Sequence, residues 1–97
     1  MLEKFTEWVN EIAVQIKQQN FDVEVTSVVN YFTKMSIDSD HFVSEIVYWS
    51  QADQYVAEII DVSAGQTIFN RSGDFKKDES FSIFFSDFFS EMNITIE

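Results

Sequence analysis

The alternation of apolar and polar residues between Tyr31 and Arg71 constrains the fold more than any other feature of the sequence. β-Branched and aromatic residues recur there with polar residues between them, and polar clusters interrupt the pattern at 38–40, 51–54 and 63–66. Side chains of a strand point alternately to opposite faces, whereas Asp, Ser and Gly favour tight turns. Short strands joined by such turns pair with their sequence neighbours. The segment therefore predicts an antiparallel β-meander.

Helical periodicity flanks this meander on both sides. Residues 2–19 carry apolar side chains at steps of three to four, and residues 78–92 carry a stripe rich in phenylalanine. Between the first helix and the meander, residues 21–25 alternate strictly, which indicates a short edge strand or an extended lead-in. We predict one α+β domain over residues 1–97, with an N-terminal helix, a meander of about four strands and a C-terminal helix.

Assumed two-residue turns at 52–53 and 64–65 give the sheet a register. They pair Trp49 with Val56 and Glu58 with Arg71, and the second pair sets opposite charges across two strands. One face then carries Phe42, Ser44, Ile46, Tyr48, Tyr55, Ala57, Ile59, Asp61, Ile68 and Asn70. The other carries Val43, Glu45, Val47, Trp49, Val56, Glu58, Ile60, Val62, Phe69 and Arg71. Because the first face is nearly free of charge, we expect the helices to cover it.

The net charge narrows the classes of partner. The 97 residues include 17 acidic and six basic side chains, which gives a formal charge of −11. A field of this sign repels nucleic acid and anionic lipid and attracts basic proteins, although acidity also keeps a surface rich in phenylalanine soluble. No basic stretch followed by an apolar run opens the sequence, and no apolar run approaches about 18 residues. The expected location is cytoplasmic.

The side chains that carry catalysis or bind metals are scarce. Cysteine is absent, and the two glycines cannot form a glycine-rich phosphate loop. His41 is the one histidine, and the cluster formed with Asp38, Ser39 and Asp40 lacks the spacing of a calcium loop. These residues fit a tight turn better. We expect no enzyme activity, no cofactor and no metal.

Two strings in the meander carry a family resemblance. Residues 46–50, Ile-Val-Tyr-Trp-Ser, resemble the strand ending in tryptophan of the TriTu immunity proteins. Residues 57–66, Ala-Glu-Ile-Ile-Asp-Val-Ser-Ala-Gly-Gln, are similar to that family's Glu-apolar-apolar-Asp strand and its glycine-containing turn. The resemblance spans roughly residues 30–92 in pattern. Ser50, Gln51 and Ala52 depart from the usual Glu-Ser-Gly ending, and Ala64 stands where threonine is common.

The resemblance implies an immunity protein of a bacterial polymorphic toxin system. Such a protein binds its cognate toxin domain inside the producing cell and occludes it 1:1, without catalysis. Basic clefts are common in toxins that act on nucleic acid or nucleotides, so the acidity of this chain fits the role. The expected partner-binding residues are Glu45, Trp49 and Glu58 on one sheet face, with the turn acids Asp38, Asp40 and Asp53. The alternative is that Trp49 is buried under a helix and Glu58 merely pairs with Arg71.

Two other functions remain open from the sequence. Exposed acid rows such as Glu3, Glu7 and Glu11 could imitate nucleic-acid phosphates and inhibit a DNA-binding protein or nuclease. Such a mimic would bind several unrelated DNA-binding proteins, with steep salt dependence. A structural homodimer formed through a spare sheet face would appear as a dimer in light scattering.

Overall fold

A computed structural model describes residues 1–76 and 78–97. Its helices are α1 (Leu2–Lys17), α2 (Phe81–Phe84) and α3 (Ser86–Glu91). Its strands are β1 (Asp22–Val28), β2 (Phe32–Asp38), β3 (Phe42–Trp49), β4 (Gln54–Asp61) and β5 (Gln66–Asp74). The strands form one antiparallel sheet in sequence order, β1-β2-β3-β4-β5. The predicted α+β class and meander topology are confirmed, with five strands instead of about four.

Helix α1 buries a single stripe and ends at Lys17, two residues before the predicted end. Phe5, Val9 and Ile16 are fully buried, which is the helical spacing that turns one face towards the sheet. Asn20 then adopts a left-handed conformation with φ of 70°. This conformation terminates helices and is tolerated by asparagine.

The additional strand arises from the segment that precedes the predicted meander. Residues 22–25 of that segment belong to β1, which lies at the sheet edge and pairs with β2. The turn between these strands has Asn30 at a φ of 69°, and the Tyr31 amide donates to the Val28 carbonyl at 2.9 Å. Because Asn30 is flanked by Val29 and Tyr31 without glycine or proline, this turn carries a weak sequence signal.

The connection from β3 to β4 is longer than predicted. A short 3-10 turn, Gln51–Asp53, includes left-handed Ala52 and Asp53, and Trp49 lies opposite Gln54 instead of Val56. The predicted register is therefore wrong by two residues. Since strand side chains repeat with period two, each residue of β3 and β4 still lies on its predicted face.

The pairing of β4 with β5 contains a bulge that overturns part of the prediction. The register shifts between Ile59 and Ile60, so Phe69 lies opposite Ile59 and Arg71 opposite Ala57. An extra residue reverses the facing of everything beyond it. Phe69 and Arg71 consequently turn to the face expected to carry Ile68 and Asn70.

The predicted pair between Glu58 and Arg71 is therefore wrong. Glu58 lies opposite Asn70, whose Nδ2 donates to Glu58 Oε2 at 3.4 Å. Ile68 leaves the predicted core face and is 38% exposed.

The core lies between one sheet face and the helices. Ile46, Tyr48, Ala57 and Ile59 are fully buried, which confirms the prediction of the helix-covered face. Phe5 of α1 stacks on Tyr48 with ring centroids 4.9 Å apart. Aromatic pairs at this separation add to the stabilisation from buried area.

The C-terminal helix predicted over 78–92 is broken into two short helices. Ser80 caps α2 by accepting from the Ile83 amide, and Phe85 departs from helical geometry at the junction with α3. The stripe still buries Phe81, Phe85, Phe88 and Met92, and Phe89 is buried as well. Because Phe88 and Phe89 are adjacent and both buried, the buried surface of α3 is wider than a single stripe.

The tail after α3 is held in place by side chains at and just beyond the C-terminal end of α1. Gln19 bonds both the carbonyl and the amide of Thr95, at 2.8 and 2.9 Å. Gln15 bonds Glu97 in the same way, at 3.4 and 2.8 Å. Gln15 in the last part of α1 and Gln19 just after its end thus bond the tail backbone as a neighbouring strand would.

Candidate functional site

The sheet face turned away from the core is the candidate site, and it is called the open face below. The strand register assigns its side chains row by row. From β1 to β4 these are Asp22, Glu24, Thr26, Val28, Phe32, Lys34, Ser36, Asp38, Val43, Glu45, Val47, Trp49, Gln54, Val56, Glu58 and Ile60. They are half-buried or exposed, whereas Ile46, Tyr48 and Ile59 on the covered face are fully buried.

One end of the open face gathers carboxylates. The acidic half is defined by Asp22, Glu24, Asp38, Glu45 and Glu58. Glu45 lies directly opposite Glu58, and Asp22 lies directly opposite Asp38. Neighbouring strands are about 4.8 Å apart, and like charges in opposite positions repel. Two repelling pairs therefore sit on the same face.

Basic groups are scarce around these carboxylates. Among the described strand residues of the open face, Lys34 is the one cation, and its direct cross-strand neighbours are Thr26 and Val47. Opposite charge is thus limited on this surface. The carboxylates of the acidic half therefore face solvent, where a partner can reach them.

The other end of the open face is apolar. The apolar half is defined by Val28, Phe32, Val47, Trp49 and Val56, with Val28 and Phe32 opposite each other and Phe32 opposite Trp49. Trp49 is 38% exposed. The alternative that Trp49 is buried under a helix is therefore wrong.

The adjoining β1–β2 turn extends this exposed apolar surface. Val29 is 80% exposed and Tyr31 is 68% exposed. Exposed apolar side chains that lie side by side mark sites of protein association more often than scattered ones do.

Four of the six residues expected to bind a partner share the open face. Asp38, Glu45 and Glu58 line one shallow depression of about 200 Å³ in the acidic half, and Trp49 lies in the apolar half. Asp40 is exposed in the turn beside the acidic half. This arrangement can accept hydrogen bonds from Lys or Arg at one end and bury apolar area at the other.

Asp53 lies elsewhere. The buried Tyr48 Oη donates to Asp53 Oδ1 at 3.0 Å, and the amino group of Met1 lies 3.9 Å from the same carboxylate. Burial raises the pKa of Tyr48, and the hydrogen bond and charge of Asp53 raise it further. Asp53 is thus linked to the covered side and is not part of the acidic half.

Sequence reasoning missed the contribution of β1 and β2 to the open face. Asp22, Glu24, Phe32 and Lys34 lie there because β1 pairs with β2 and β2 with β3. The strict alternation of residues 21–25 was the available signal for Asp22 and Glu24.

Arg71 is the other residue whose place was not predicted. Its guanidinium lies 4.9 Å from the Phe84 ring centroid and within 5.8 Å of Tyr55, Phe69 and Phe85, and it donates to the Phe84 carbonyl. Its Nε is buried without a hydrogen-bond partner among the described residues. Arg71 joins β5 to the C-terminal helices.

A groove of about 500 Å³ separates the first turn of α1 from the β1–β2 turn. Its hydroxyls bond one another: Thr33 Oγ1 lies 2.6 Å from Thr6 Oγ1 and 2.9 Å from Ser27 Oγ.

Within residues 1–76 and 78–97, no three or more His, Asp or Glu side chains converge in a way that could hold a metal ion. No helix in this described part of the chain is long and apolar enough to cross a membrane.

Comparison with known families gives a match that covers almost the whole fold. The family model described as "Immunity protein TriTu" matches residues 3–91. The match begins in α1 and ends with α3, so it includes all five strands. Comparison with curated proteins finds no match.

Proposed function

Because the chain belongs to the TriTu immunity protein family, we propose that it neutralises a cognate bacterial toxin domain by binding and occluding it. The match over residues 3–91 is the observation that carries this proposal. The protein acts 1:1 with the toxin and without catalysis, in the cytoplasm of the producing cell. The resemblance of the 46–50 and 57–66 strings points to the same family independently of the strand geometry.

The open face supports a binding role. It combines carboxylates that accept charge-assisted hydrogen bonds with a half-exposed tryptophan, Trp49, and tryptophan is enriched among residues that dominate binding energy. A surface of this kind can contact a protein partner through both hydrogen bonds and apolar area. The proposed mechanism therefore requires only that the bound chain prevents the toxin from reaching its target.

The charge of the chain favours a toxin with a basic surface. At −11, the chain attracts a basic partner over long range and speeds the encounter. Fast capture suits an immunity protein, because a toxin molecule that remains free can act before it is bound. Screening by salt should therefore lower the association rate more than it raises the dissociation rate.

Co-expression tests the proposal. The toxin domain is expected to be encoded immediately upstream of this chain, and its expression alone should arrest growth. Expression of the chain should restore growth, and the purified pair should elute as a 1:1 complex in light scattering. Failure of the chain to protect cells or to bind this toxin would refute the proposed function.

Inhibition by imitation of nucleic acid is the second candidate. Glu3, Glu7 and Glu11 are exposed on α1, about 6 Å apart along its axis, and so form a charged row outside the open face. Such a mimic would bind unrelated DNA-binding proteins with steep salt dependence. Selective binding of one toxin that persists at high salt would argue against it.

A further inference from the structure

We propose that the toxin binds across the open face, with an apolar surface on the apolar half and Lys or Arg side chains against the acidic half. This inference rests on the proposed function and specifies the surface and the chemistry of the partner. Three features of the structure support it: the uncovered sheet face, the exposed apolar row, and the opposed carboxylates.

The apolar half provides an anchor. Val28 is 43% exposed and Trp49 is 38% exposed, while Phe32 between them is half-buried. A partner that covers this row removes the remaining apolar area of three large side chains from water. Binding energy in protein interfaces concentrates on such central aromatic groups.

The acidic half selects a basic partner. Glu45 and Glu58 oppose each other directly, as do Asp22 and Asp38, so each pair repels itself in the free protein. A guanidinium or ammonium placed between the two members of a pair adds two attractions, which outweigh the repulsion between the carboxylates. The same carboxylates disfavour a second copy of this chain, because a face-to-face dimer would set each acidic half against the partner's acidic half or against its apolar half. The first arrangement repels, and the second removes carboxylates from water without a cation to pair with them.

The position of the two halves gives a single contact surface. Glu45 and Trp49 lie on the same strand and the same face, four residues apart, which corresponds to about 13 Å along β3. One protein surface of ordinary interface size can cover both halves at once. If the partner contacted only one half, substitutions in the other half would leave the affinity unchanged, and that result would refute the two-part surface.

The experiment measures affinity for the purified toxin domain encoded by the adjacent gene, using isothermal titration calorimetry. The acidic half is reversed with Glu45→Lys/Glu58→Lys, and its control is Glu7→Lys/Glu11→Lys, an equal charge change on the exposed face of α1. The apolar half is truncated with Trp49→Ala, and its control is Ile83→Ala, which removes a side chain that is 64% exposed on α2. Circular dichroism and thermal melting establish that each variant is folded.

The expected loss of affinity is about 30-fold or more for Glu45→Lys/Glu58→Lys and about 10-fold or more for Trp49→Ala. Both controls should bind within about threefold of the unmodified chain. If the double lysine variant does not fold, Glu45→Gln/Glu58→Gln takes its place and should lose about 10-fold.

The outcomes separate this inference from the proposed function. No binding by the unmodified chain refutes the proposed function. Tight binding by the unmodified chain and equally tight binding by the folded open-face variants refute the inference alone. If the α1 control loses affinity for the toxin and the open-face variants do not, the interface lies on the helices and the inference is refuted. A stable dimer of the free chain in light scattering would also refute it, because the open face would then bind a second copy.

Discussion

Removing one carboxylate of the Glu45–Glu58 pair should stabilise the free protein. The two residues are direct cross-strand partners on the open face, and both are half-buried. Glu45→Gln keeps the shape of the side chain and removes its charge. It also leaves intact the hydrogen bond that Asn70 donates to Glu58.

The size of the effect follows from Coulomb's law and from measured cross-strand pairs. Two unit charges about 6 Å apart in water repel by about 0.7 kcal/mol, and cross-strand pairs change stability by about 0.2–1 kcal/mol. We therefore expect Glu45→Gln to raise the free energy of unfolding by about 0.5 kcal/mol. For a domain of this size the melting temperature rises by about 2–4 °C.

Calorimetric melting of four proteins isolates the pair: the unmodified chain, Glu45→Gln, Glu58→Gln and the double variant. Either single substitution removes the same repulsion, so the double variant should gain less than the sum of the two. Asp40→Asn in the exposed β2–β3 turn controls for the general lowering of net charge. A gain for Glu45→Gln no larger than for Asp40→Asn, or strictly additive single effects, would refute the reasoning.

Three further predictions concern the covered side of the sheet and are tested without the toxin. Arg71→Ala should lower the free energy of unfolding by about 2–4 kcal/mol in urea titrations, because the guanidinium lies over aromatic rings and donates to the Phe84 carbonyl. Arg71→Met keeps the apolar stem and removes the unpartnered Nε, so it should lower the free energy of unfolding by less than half as much. Equal losses in the two variants would contradict this account. The raised pKa of Tyr48 means that the folded state holds the phenol proton more tightly than the unfolded state, so the stability present below about pH 10 should fall as the pH rises above 10. Tyr48→Phe should weaken this pH dependence and lower the free energy of unfolding by about 0.5–1.5 kcal/mol at neutral pH. If stability fell equally steeply with alkaline pH in this variant, other groups would cause the dependence. Gln19→Ala should speed amide hydrogen exchange at Thr95, whose amide it bonds, while Gln18→Ala, which changes a neighbouring exposed glutamine, should leave that rate unchanged; equal rates in both variants would mean that the side chain does not hold the tail.

The order of the elements could be predicted from the sequence because period and turn chemistry agree along most of the chain. Apolar spacing of three to four fixed α1, and alternation with polar breaks fixed the strands from β2 to β5. The face covered by the helices followed from charge alone, since only one face was nearly free of it. The error of two residues at the Ala52–Asp53 turn left that result intact because it preserves parity.

The placement of Arg71 could not be predicted in the same way. A β-bulge adds one residue without a dedicated sequence signal, and one residue is enough to exchange the two faces. The pairing of opposite charges at Glu58 and Arg71 looked favourable locally. In the observed register Phe69 is partly buried and packs against Phe88, with ring centroids 5.7 Å apart.

The acidic half of the candidate site was predicted only in part. Glu45 and Glu58 were placed on one face from the strand pattern, but the carboxylates of β1 depend on a turn around Asn30 that lacks glycine and proline. The sequence groups Asp53 with the other turn acids because it does not predict the 3-10 turn, and the hydrogen bond from Tyr48 to Asp53 depends on the shape of that turn. Local residue patterns do not predict such contacts, because they depend on the shape of turns and on how neighbouring strands pair.

The two tryptophans allow the most direct test of the proposal that the toxin binds the open face. Trp49 lies on that face, whereas Trp8 lies on the helix side, where its Nε1 donates to Ser82 Oγ at 3.1 Å. A nitrogen–proton correlation spectrum of the labelled chain should therefore show two indole signals, one for each side of the molecule. Titration with the unlabelled toxin domain should shift or broaden the Trp49 signal and leave the Trp8 signal in place. A shift of the Trp8 signal with the Trp49 signal unchanged would contradict the account.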